Sequence, residues 1–173
     1  TFLCKDNPKS TSIQVSFLSN GKQLEALLPP GFKLHGDPVV TVFSVYMKEI
    51  EWLAGRGYNV LGVTIPAKFT GDKETAVGPF LTVLWENLAD PIITGREELG
   101  FSKIYSELPE IRVLRDSASS QASWLGFKFL DINVSNLKPR TEPSPAAKID
   151  GQLHYKYMPR TGEWGKADSQ YAV

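Results

Sequence analysis

One lysine in this sequence has surroundings in which an amine could act as a nucleophile. Residues 95–103 read GREELGFSK and end on Lys103, which is flanked by Phe101, Ile104 and Tyr105. If the fold buries these neighbours, the lysine loses hydration, and burial disfavours the charged ammonium form. A neutral amine near pH 7 attacks ketones and forms a Schiff base. The alternative is a lysine whose stem packs on apolar surface while its ammonium stays in water, since lysine is rarely fully buried.

The two charged residues before Lys103 are candidates to assist it. Arg96 has a planar guanidinium that matches the two oxygens of a substrate carboxylate, and the alternative is a local ion pair that fixes the turn. Glu97 is a candidate proton donor and acceptor. Its alternative role is that of a carboxylate at the start of a helix, where it stabilises backbone N–H groups.

A second group of candidates lies near the end of the chain. Tyr155 and Tyr157 are two apart, so on a strand their side chains share one face. Their hydroxyls are candidate proton relays in a pocket, although tyrosines that pack in a core with one hydrogen-bond partner are more common. Arg160 is an alternative to Arg96 for a carboxylate, and Trp85 is a candidate pocket wall.

Three segments together resemble the acetoacetate decarboxylase superfamily. In that family a Gly-Arg-Glu turn precedes the imine-forming lysine by six residues, as Glu97 precedes Lys103 here. Residues 58–66 (YNVLGVTIP) resemble the family's Tyr-Thr-Glu-Ser-Gly-Gln-Ala-Ile-Pro strand. Residues 154–162 (HYKYMPRTG) resemble the Tyr-x-Tyr-Ile-Pro-Arg-Thr-Gly segment of one branch. The resemblance runs from about Gln23 to Asp168.

Two departures from the family pattern bear on the expected chemistry. The decarboxylases have a second lysine directly after the first, and its charge activates the nucleophile. This chain has Ile104 there. The glutamate of the upstream strand, close to the lysine in the decarboxylases, is Val60 here. Lys103 would then be neutralised mainly by burial, with Phe101, Ile104 and Val60 as apolar pocket walls.

The resemblance implies a lyase that forms an imine between Lys103 and a keto acid. Decarboxylation of a 3-keto acid competes with aldol or dehydration chemistry on a pyruvate-like acid, and the two departures favour the second branch slightly. The resemblance also implies a homo-oligomer and no cofactor. The alternative is a non-catalytic β-barrel that binds a small hydrophobic carboxylic acid, with Lys103 as a plain ammonium partner.

Composition makes several other functions improbable. The 173 residues include 19 basic and 19 acidic side chains, so no strong basic field for nucleic acid is expected. Cys4 is the only cysteine, and the two histidines, His35 and His154, lack metal-type spacing. No apolar run reaches the roughly 18–20 residues that span a bilayer, and no secretory pattern is visible at the start. We therefore expect no metal, no membrane partner and a cytoplasmic location.

The length and hydrophobic pattern predict one domain over residues 1–173, and the resemblance implies that it is a trimmed form of a family domain that continues past Asp168. The pattern predicts many strands, a few short helices, a hairpin turn and an exposed proline-rich loop. The fold class is therefore mainly β (α+β), as an antiparallel barrel or double sheet, and the resemblance implies a cone-like barrel around Lys103. The strands are predicted at 12–18, 39–47, 58–69, 77–86, 110–116, 123–134 and 152–158, the helices at 22–28 and around 97–98, the turn at 71–74 and the loop at 138–145.

Overall fold

The computed structural model describes residues 8–141 and 148–173, so Cys4 and the later part of the predicted 138–145 loop lie outside the described residues. Helices α1 and α2 span Gly21–Glu25 and Ala89–Glu97, and a 3-10 turn spans Glu51–Leu53. The described strands are β1 (Lys9–Leu18), β2 (Phe32–Leu34), β3 (Val39–Lys48), β4 (Asn59–Thr70), β5 (Thr75–Glu86), β6 (Lys103–Tyr105), β7 (Arg112–Leu114), β8 (Ser117–Trp124), β9 (Phe127–Val134), β10 (Tyr155–Pro159) and β11 (Ala167–Ala172).

The strands form one large sheet and two small ones, which confirms the mainly β class. In the large sheet the order is β1-β3-β4-β5-β6, with β2 paired to β4. All its pairs are antiparallel except β5 with β6, which is parallel. Strands β7-β8-β9 and β10-β11 form the small sheets. Within the described residues the large sheet does not return from β6 to β1, so a closed barrel is not formed there.

Strands β4 and β5 form the long central hairpin that the sequence predicts. The turn between them closes at Gly71, whose N–H donates to the carbonyl of Glu74 at 2.9 Å. Strand β4 runs without a break through Gly62 and Pro66, with one register shift against β5 between Val63 and Thr64. Pro66 of β4 faces Pro79 of β5 across the ladder. Because proline has no backbone N–H, the two positions that cannot donate a hydrogen bond lie opposite each other. Gly62 faces Phe43, and a Cβ there would lie 2.1 Å from its ring, so the ring occupies the space that a side chain would need.

The prediction of one strand over 123–134 is wrong, because a hairpin turn divides this segment. Strands β8 and β9 meet at Leu125 and Gly126, whose φ values are 49° and 80°. Positive φ at both central residues is the geometry of a two-residue hairpin turn that suits the twist of the strands. Leucine disfavours that conformation, so the pair does not have the usual Asn-Gly or Asp-Gly signature.

Helix α2 lies earlier than the sequence suggested. It begins at Ala89 rather than near Glu97, with Asp90 in its first turn, where a carboxylate complements the helix dipole. The chain leaves the helix through Gly100, whose φ is 78°. Glu97 is therefore at the C-terminal end of the helix, and the alternative role as a helix-start carboxylate is wrong.

Shorter elements account for the remaining differences. Helix α1 stops at Glu25 and not at Leu28, with Leu24 buried and Leu27 exposed. The predicted strand over 110–116 is reduced to β7, and β10 begins three residues later than expected. The pattern gave no signal for β2, β6 or β11, two of which have only three residues.

The segment before β10 is held against β5 by backbone hydrogen bonds. Leu81 N–H donates to the carbonyl of Leu153 at 2.8 Å, and Leu153 N–H donates to that of Pro79 at 2.9 Å. Leu153 also completes a core cluster with buried residues of α1, β2, β3, β4 and β5. This docking places β10 beside the turn that follows α2. In the part of the chain that the structure describes, no helix is long and apolar enough to cross a membrane.

Candidate active site

Strand β6 carries Lys103 into the protein. Its three residues pair with the end of β5, so that Lys103 lies next to Leu84. The guanidinium of Arg96 donates from Nη1 to the backbone carbonyl of Lys103 at 2.8 Å, which ties α2 to this strand. Ile104 points away from Lys103, as alternation along a strand requires, and its side chain is 54% exposed. Tyr105 is also exposed, so neither residue shields the lysine as the sequence suggested.

The amine of Lys103 is withdrawn from water and has two polar neighbours. The lysine side chain is 8% exposed, and that of Glu86 is 1% exposed. Nζ donates a hydrogen bond to the carbonyl of Pro91 at 2.9 Å and lies 2.9 Å from Glu86 Oε1. The second contact has the distance of an ion pair but not the angles of a hydrogen bond, since neither oxygen of Glu86 has a hydrogen-bond partner in the described residues. The Phe101 ring lies 5.3 Å from Nζ.

Helix α2 comes close to this amine because one of its residues has no side chain. A Cβ built on Gly95 would lie 2.5 Å from both Cε and Nζ of Lys103. Gly95 and Pro91 are the buried residues of α2, and both face the lysine. The glycine therefore leaves the space in which the amine lies.

Burial dominates the electrostatics of the pair. Desolvation raises the pKa of Glu86, and the adjacent Lys103 ammonium at 2.9 Å opposes that rise. Burial, together with the charge of Glu86, also raises the pKa of Tyr58 to about 12. A carboxylate whose pKa is raised by burial thus faces an amine at contact distance. This is an arrangement in which one proton can pass between the two.

Phe101 also borders a small cleft. Its volume is about 230 Å³, and the sequence candidates Arg96, Phe101, Tyr155 and Tyr157 line it together with Gly100 and Ser102. The two tyrosines share one face of β10, as predicted. Tyr155 also packs edge-on against Phe32 at 6.3 Å, and the Tyr157 hydroxyl donates to the carbonyl of Lys166 at 3.3 Å. Phe101 is common to the cleft and to the surroundings of the amine.

Three other predicted residues lie away from this cleft. The Glu97 side chain is exposed, while its backbone carbonyl accepts a hydrogen bond from Lys156 Nζ at 2.7 Å. Arg160 is paired with Asp168 at 2.8 Å. Trp85 is on the opposite face of β5 and packs against Phe129 at a centroid distance of 5.3 Å.

Glu86 is the residue that the sequence reasoning missed. It lies directly opposite Val60 in the β4–β5 register, so the two side chains share a face. Val60 itself is buried in an apolar cluster with Leu81 and Leu84. The signal in the sequence was a single carboxylate two residues after Leu84, on the same face of a strand that is otherwise apolar. Because alternate residues of a strand share a face, Glu86 points into the core with Leu84. The sequence did not show that β6 lies beside Glu86.

The geometry can be set beside known proteins. The family model for acetoacetate decarboxylase (ADC) matches residues 2–173. No curated protein sequence matches the chain. Among solved structures, the enduracididine biosynthesis enzyme MppR with bound HEPES buffer superposes with a TM-score of 0.72 at 13% identity, over 88% of this chain and 62% of that chain.

Two further structures show the same fold. An acetoacetate decarboxylase-like enzyme from Sphingomonas wittichii RW1 has a TM-score of 0.75 at 15% identity, over 95% of this chain and 69% of that chain. Acetoacetate decarboxylase from Legionella pneumophila subsp. pneumophila str. Philadelphia 1 has a TM-score of 0.67 at 18% identity, over 90% of this chain and 59% of that chain. The chain spans about three-fifths to two-thirds of the length of these proteins. Because the family model covers nearly every residue, this chain belongs to the acetoacetate decarboxylase family.

Proposed function

We propose that this chain is a lyase that acts on a keto acid through a Schiff base formed at Lys103. The observation that carries the proposal is the position of Nζ. It is almost wholly withdrawn from water, it lies beside the Phe101 ring, and it is in contact with the one carboxylate that can take its proton among the residues described. An amine nucleophile must be neutral to attack a carbonyl carbon, and Glu86 lies where it can accept the proton that the ammonium must lose.

The cleft beside Phe101 is where we place the keto acid. Arg96 uses one donor to hold the Lys103 carbonyl, and its guanidinium has others with which to bind a carboxylate. The hydroxyls of Tyr155 and Tyr157 line the same cleft and are candidates to hydrogen-bond the substrate or to relay a proton. A volume of about 230 Å³ suits a small acid better than a large one.

The protonated imine acts as an electron sink for the carbon next to it. Decarboxylation of a 3-keto acid and aldol or dehydration chemistry on a pyruvate-like acid both use that sink. MppR has been solved with pyruvate and with the condensation product of pyruvate and imidazole 4-carboxaldehyde. Together with Ile104 in place of a second lysine, this favours the pyruvate-like branch for the present chain.

A competing function is non-catalytic binding of a small hydrophobic acid. One observation favours it, because Nζ is already engaged by Pro91 and Glu86. In that case Lys103 is a structural ion pair and forms no covalent bond with a ligand.

Borohydride trapping separates the two functions. The protein is incubated with pyruvate or with acetoacetate, reduced, and examined by intact mass and peptide mapping. A stable adduct on Lys103 is expected. Lys103→Ala must remove it, whereas Lys33→Ala, which deletes an exposed lysine on β2, must leave it. Reversible binding without an adduct would establish the binding protein instead.

Carbon dioxide release and new ultraviolet absorbance, followed together over a panel of keto acids, then identify the reaction. Carbon dioxide from a 3-keto acid indicates a decarboxylase. A new conjugated chromophore from a pyruvate-like acid and an aldehyde indicates the aldolase-dehydratase branch.

A further inference from the structure

Among the residues that the structure describes, one carboxylate, that of Glu86, touches the amine on which the proposed function depends. Oε1 lies 2.9 Å from Nζ, and the side chain is 1% exposed. Pro91, the other polar neighbour of Nζ, offers a carbonyl oxygen, which is not a base of useful strength. In the described part of the chain, Glu86 is therefore the one group in contact with Nζ that can accept its proton.

We propose that Glu86 is the catalytic acid–base residue for imine formation at Lys103. This inference rests on the proposed function and assigns its proton transfers to a residue at the end of β5. A catalytic base must lie within about 2.6–3.2 Å of the proton-bearing atom in a workable geometry, and the Glu86–Nζ distance meets that condition.

The surroundings of Glu86 suit both halves of that role. Neither of its oxygens has a hydrogen-bond partner among the residues described, so no donor competes for the carboxylate. Burial raises the pKa of Glu86, which makes proton uptake from a buried ammonium less unfavourable than uptake by a carboxylate in water. The same property lets the protonated form give its proton back later in the sequence.

The proton balance closes without any external reagent. One proton passes from the Lys103 ammonium to the Glu86 carboxylate, leaving a neutral amine and a carboxylic acid. The nitrogen lone pair forms a bond to the ketone carbon, and the carbonyl π electrons move to oxygen.

A proton then moves from nitrogen to that oxygen, which gives a neutral carbinolamine. Glu86 donates its proton to the hydroxyl, which leaves as water while the nitrogen lone pair forms the C=N bond. The products are the iminium on Lys103, one water and the Glu86 carboxylate, with the net charge unchanged.

The first experiment removes the carboxylate at constant shape. Glu86→Gln is expected to slow borohydride-trapped imine formation by about 10²–10⁴-fold, the usual contribution of general acid–base catalysis. Glu98→Gln, which neutralises an exposed carboxylate just after α2, is the control and should label at the wild-type rate. Circular dichroism and thermal unfolding verify that both variants are folded.

Chemical rescue tests whether the carboxylate acts as a base or merely as packing. In Glu86→Ala, added formate or acetate should restore labelling, and the more basic acetate should restore more per bound molecule. A purely structural role predicts no dependence on the basicity of the added acid. Rescue that does not depend on basicity would overturn the inference.

A second test moves the carboxylate from β5 to the position directly opposite it on β4. Val60 faces Glu86 directly across β4 and β5, so Val60→Glu/Glu86→Val moves the group across one ladder while both side chains stay on the same face. We expect this double variant to label at least tenfold faster than Glu86→Val alone. Equal rates in the two variants count against a role for the carboxylate at this position.

The wild-type pH profile provides a readout that needs no variant. Labelling should fall as the pH drops through the raised pKa of Glu86, because a protonated Glu86 cannot accept a proton. A rate that instead rises tenfold per pH unit up to the ordinary lysine value of about 10.4 overturns the inference.

The failure of this inference is distinguishable from the failure of the proposed function. If wild-type protein gives no adduct on Lys103, the lyase function and the acid–base role of Glu86 are both contradicted. If wild-type protein is labelled and Glu86→Gln is labelled within threefold of it, the lyase stands and Glu86 is not its acid–base residue.

Discussion

At the scale of single residues, the site is an ion pair in a dry environment. Withdrawing two charges from water is costly, and their mutual attraction repays that cost only when geometry and hydrogen bonding are good. Lys103 Nζ donates a hydrogen bond to the carbonyl of Pro91, whereas Glu86 has no hydrogen bond in the described residues. The pair therefore adds little to the stability of the fold. An under-satisfied carboxylate beside a buried amine is better explained by a role in proton transfer.

Tyr58 provides a pH readout of this environment. Its pKa is raised from 10.0 to about 12 by burial and by the charge of Glu86. Because the folded state holds the neutral phenol more strongly than the unfolded state does, this contribution to stability is complete below pH 10. It is lost as the pH rises through about 12.

An absorbance titration at 295 nm should therefore show one tyrosine ionising near pH 12, and Tyr58→Phe should remove that late transition. Tyr105→Phe, which alters an exposed tyrosine, is the control and should retain it. A late transition that survives in Tyr58→Phe would assign it to another tyrosine.

At the scale of elements, α2 and β6 place the amine together. Arg96 fastens the strand to the end of the helix, and the absent side chain of Gly95 leaves room for Nζ. The parallel pairing of β6 with β5 puts Lys103 next to Leu84 and two residues from the level of Glu86. The site thus depends on a three-residue strand that a helix holds in place.

Gly95→Ala tests this arrangement. A Cβ at this position would lie 2.5 Å from Cε and Nζ, both at the flexible end of the lysine, so the amine is expected to move and the backbone to stay. Alanine is favoured over glycine by about 1 kcal/mol in a helix interior, but displacing the amine leaves the buried Glu86 carboxylate without its partner, so thermal stability should fall. Borohydride labelling of Lys103 should fall at least tenfold.

The control for that variant is Gly21→Ala in α1, where a Cβ would make ordinary contacts at 3.6 Å and 3.7 Å. Differential scanning calorimetry and peptide mapping follow stability and labelling separately. Wild-type labelling in Gly95→Ala would mean that the amine reacts from another position.

At the scale of the whole molecule, the C-terminal segment is joined to the large sheet through the β5 edge of the hairpin. Backbone hydrogen bonds join Val77 to Asp150 and Leu81 to Leu153. This docking carries Tyr155 and Tyr157 to the cleft, so the tyrosines depend on contacts distant from the lysine in sequence. The homo-oligomer that the family resemblance implies stays a prediction.

Gly78→Ala tests the docking. A Cβ there would lie 1.9 Å from the carbonyl oxygen of Gly151, a backbone atom that cannot move without breaking the contact. We expect a loss of about 1–3 kcal/mol in the free energy of unfolding, the usual cost of overpacking, measured by urea denaturation. In Gly151→Ala, the matched control, the added Cβ meets nothing within 4 Å and stability should change little. Equal stability of the two variants would show that the segment is not held as described.

Local sequence determined much of this protein. Period-two alternation specified β1, and runs rich in β-branched and aromatic residues specified β3, β4 and β5. The Gly71 turn specified the central hairpin, and residues 95–103 identified Lys103 and the family. These features depend on neighbours in the chain, so period and turn chemistry suffice to find them.

Only the tertiary structure determined which residues surround Lys103. Glu86, Pro91 and Gly95 meet Lys103 because β6 pairs in parallel with β5 and α2 packs over that junction. A three-residue strand has too few residues to show a period, and parallel pairing is set by the path of the chain through α2. The side of β5 that Glu86 occupies follows from strand parity, but its contact with an amine 17 residues later is a property of the fold.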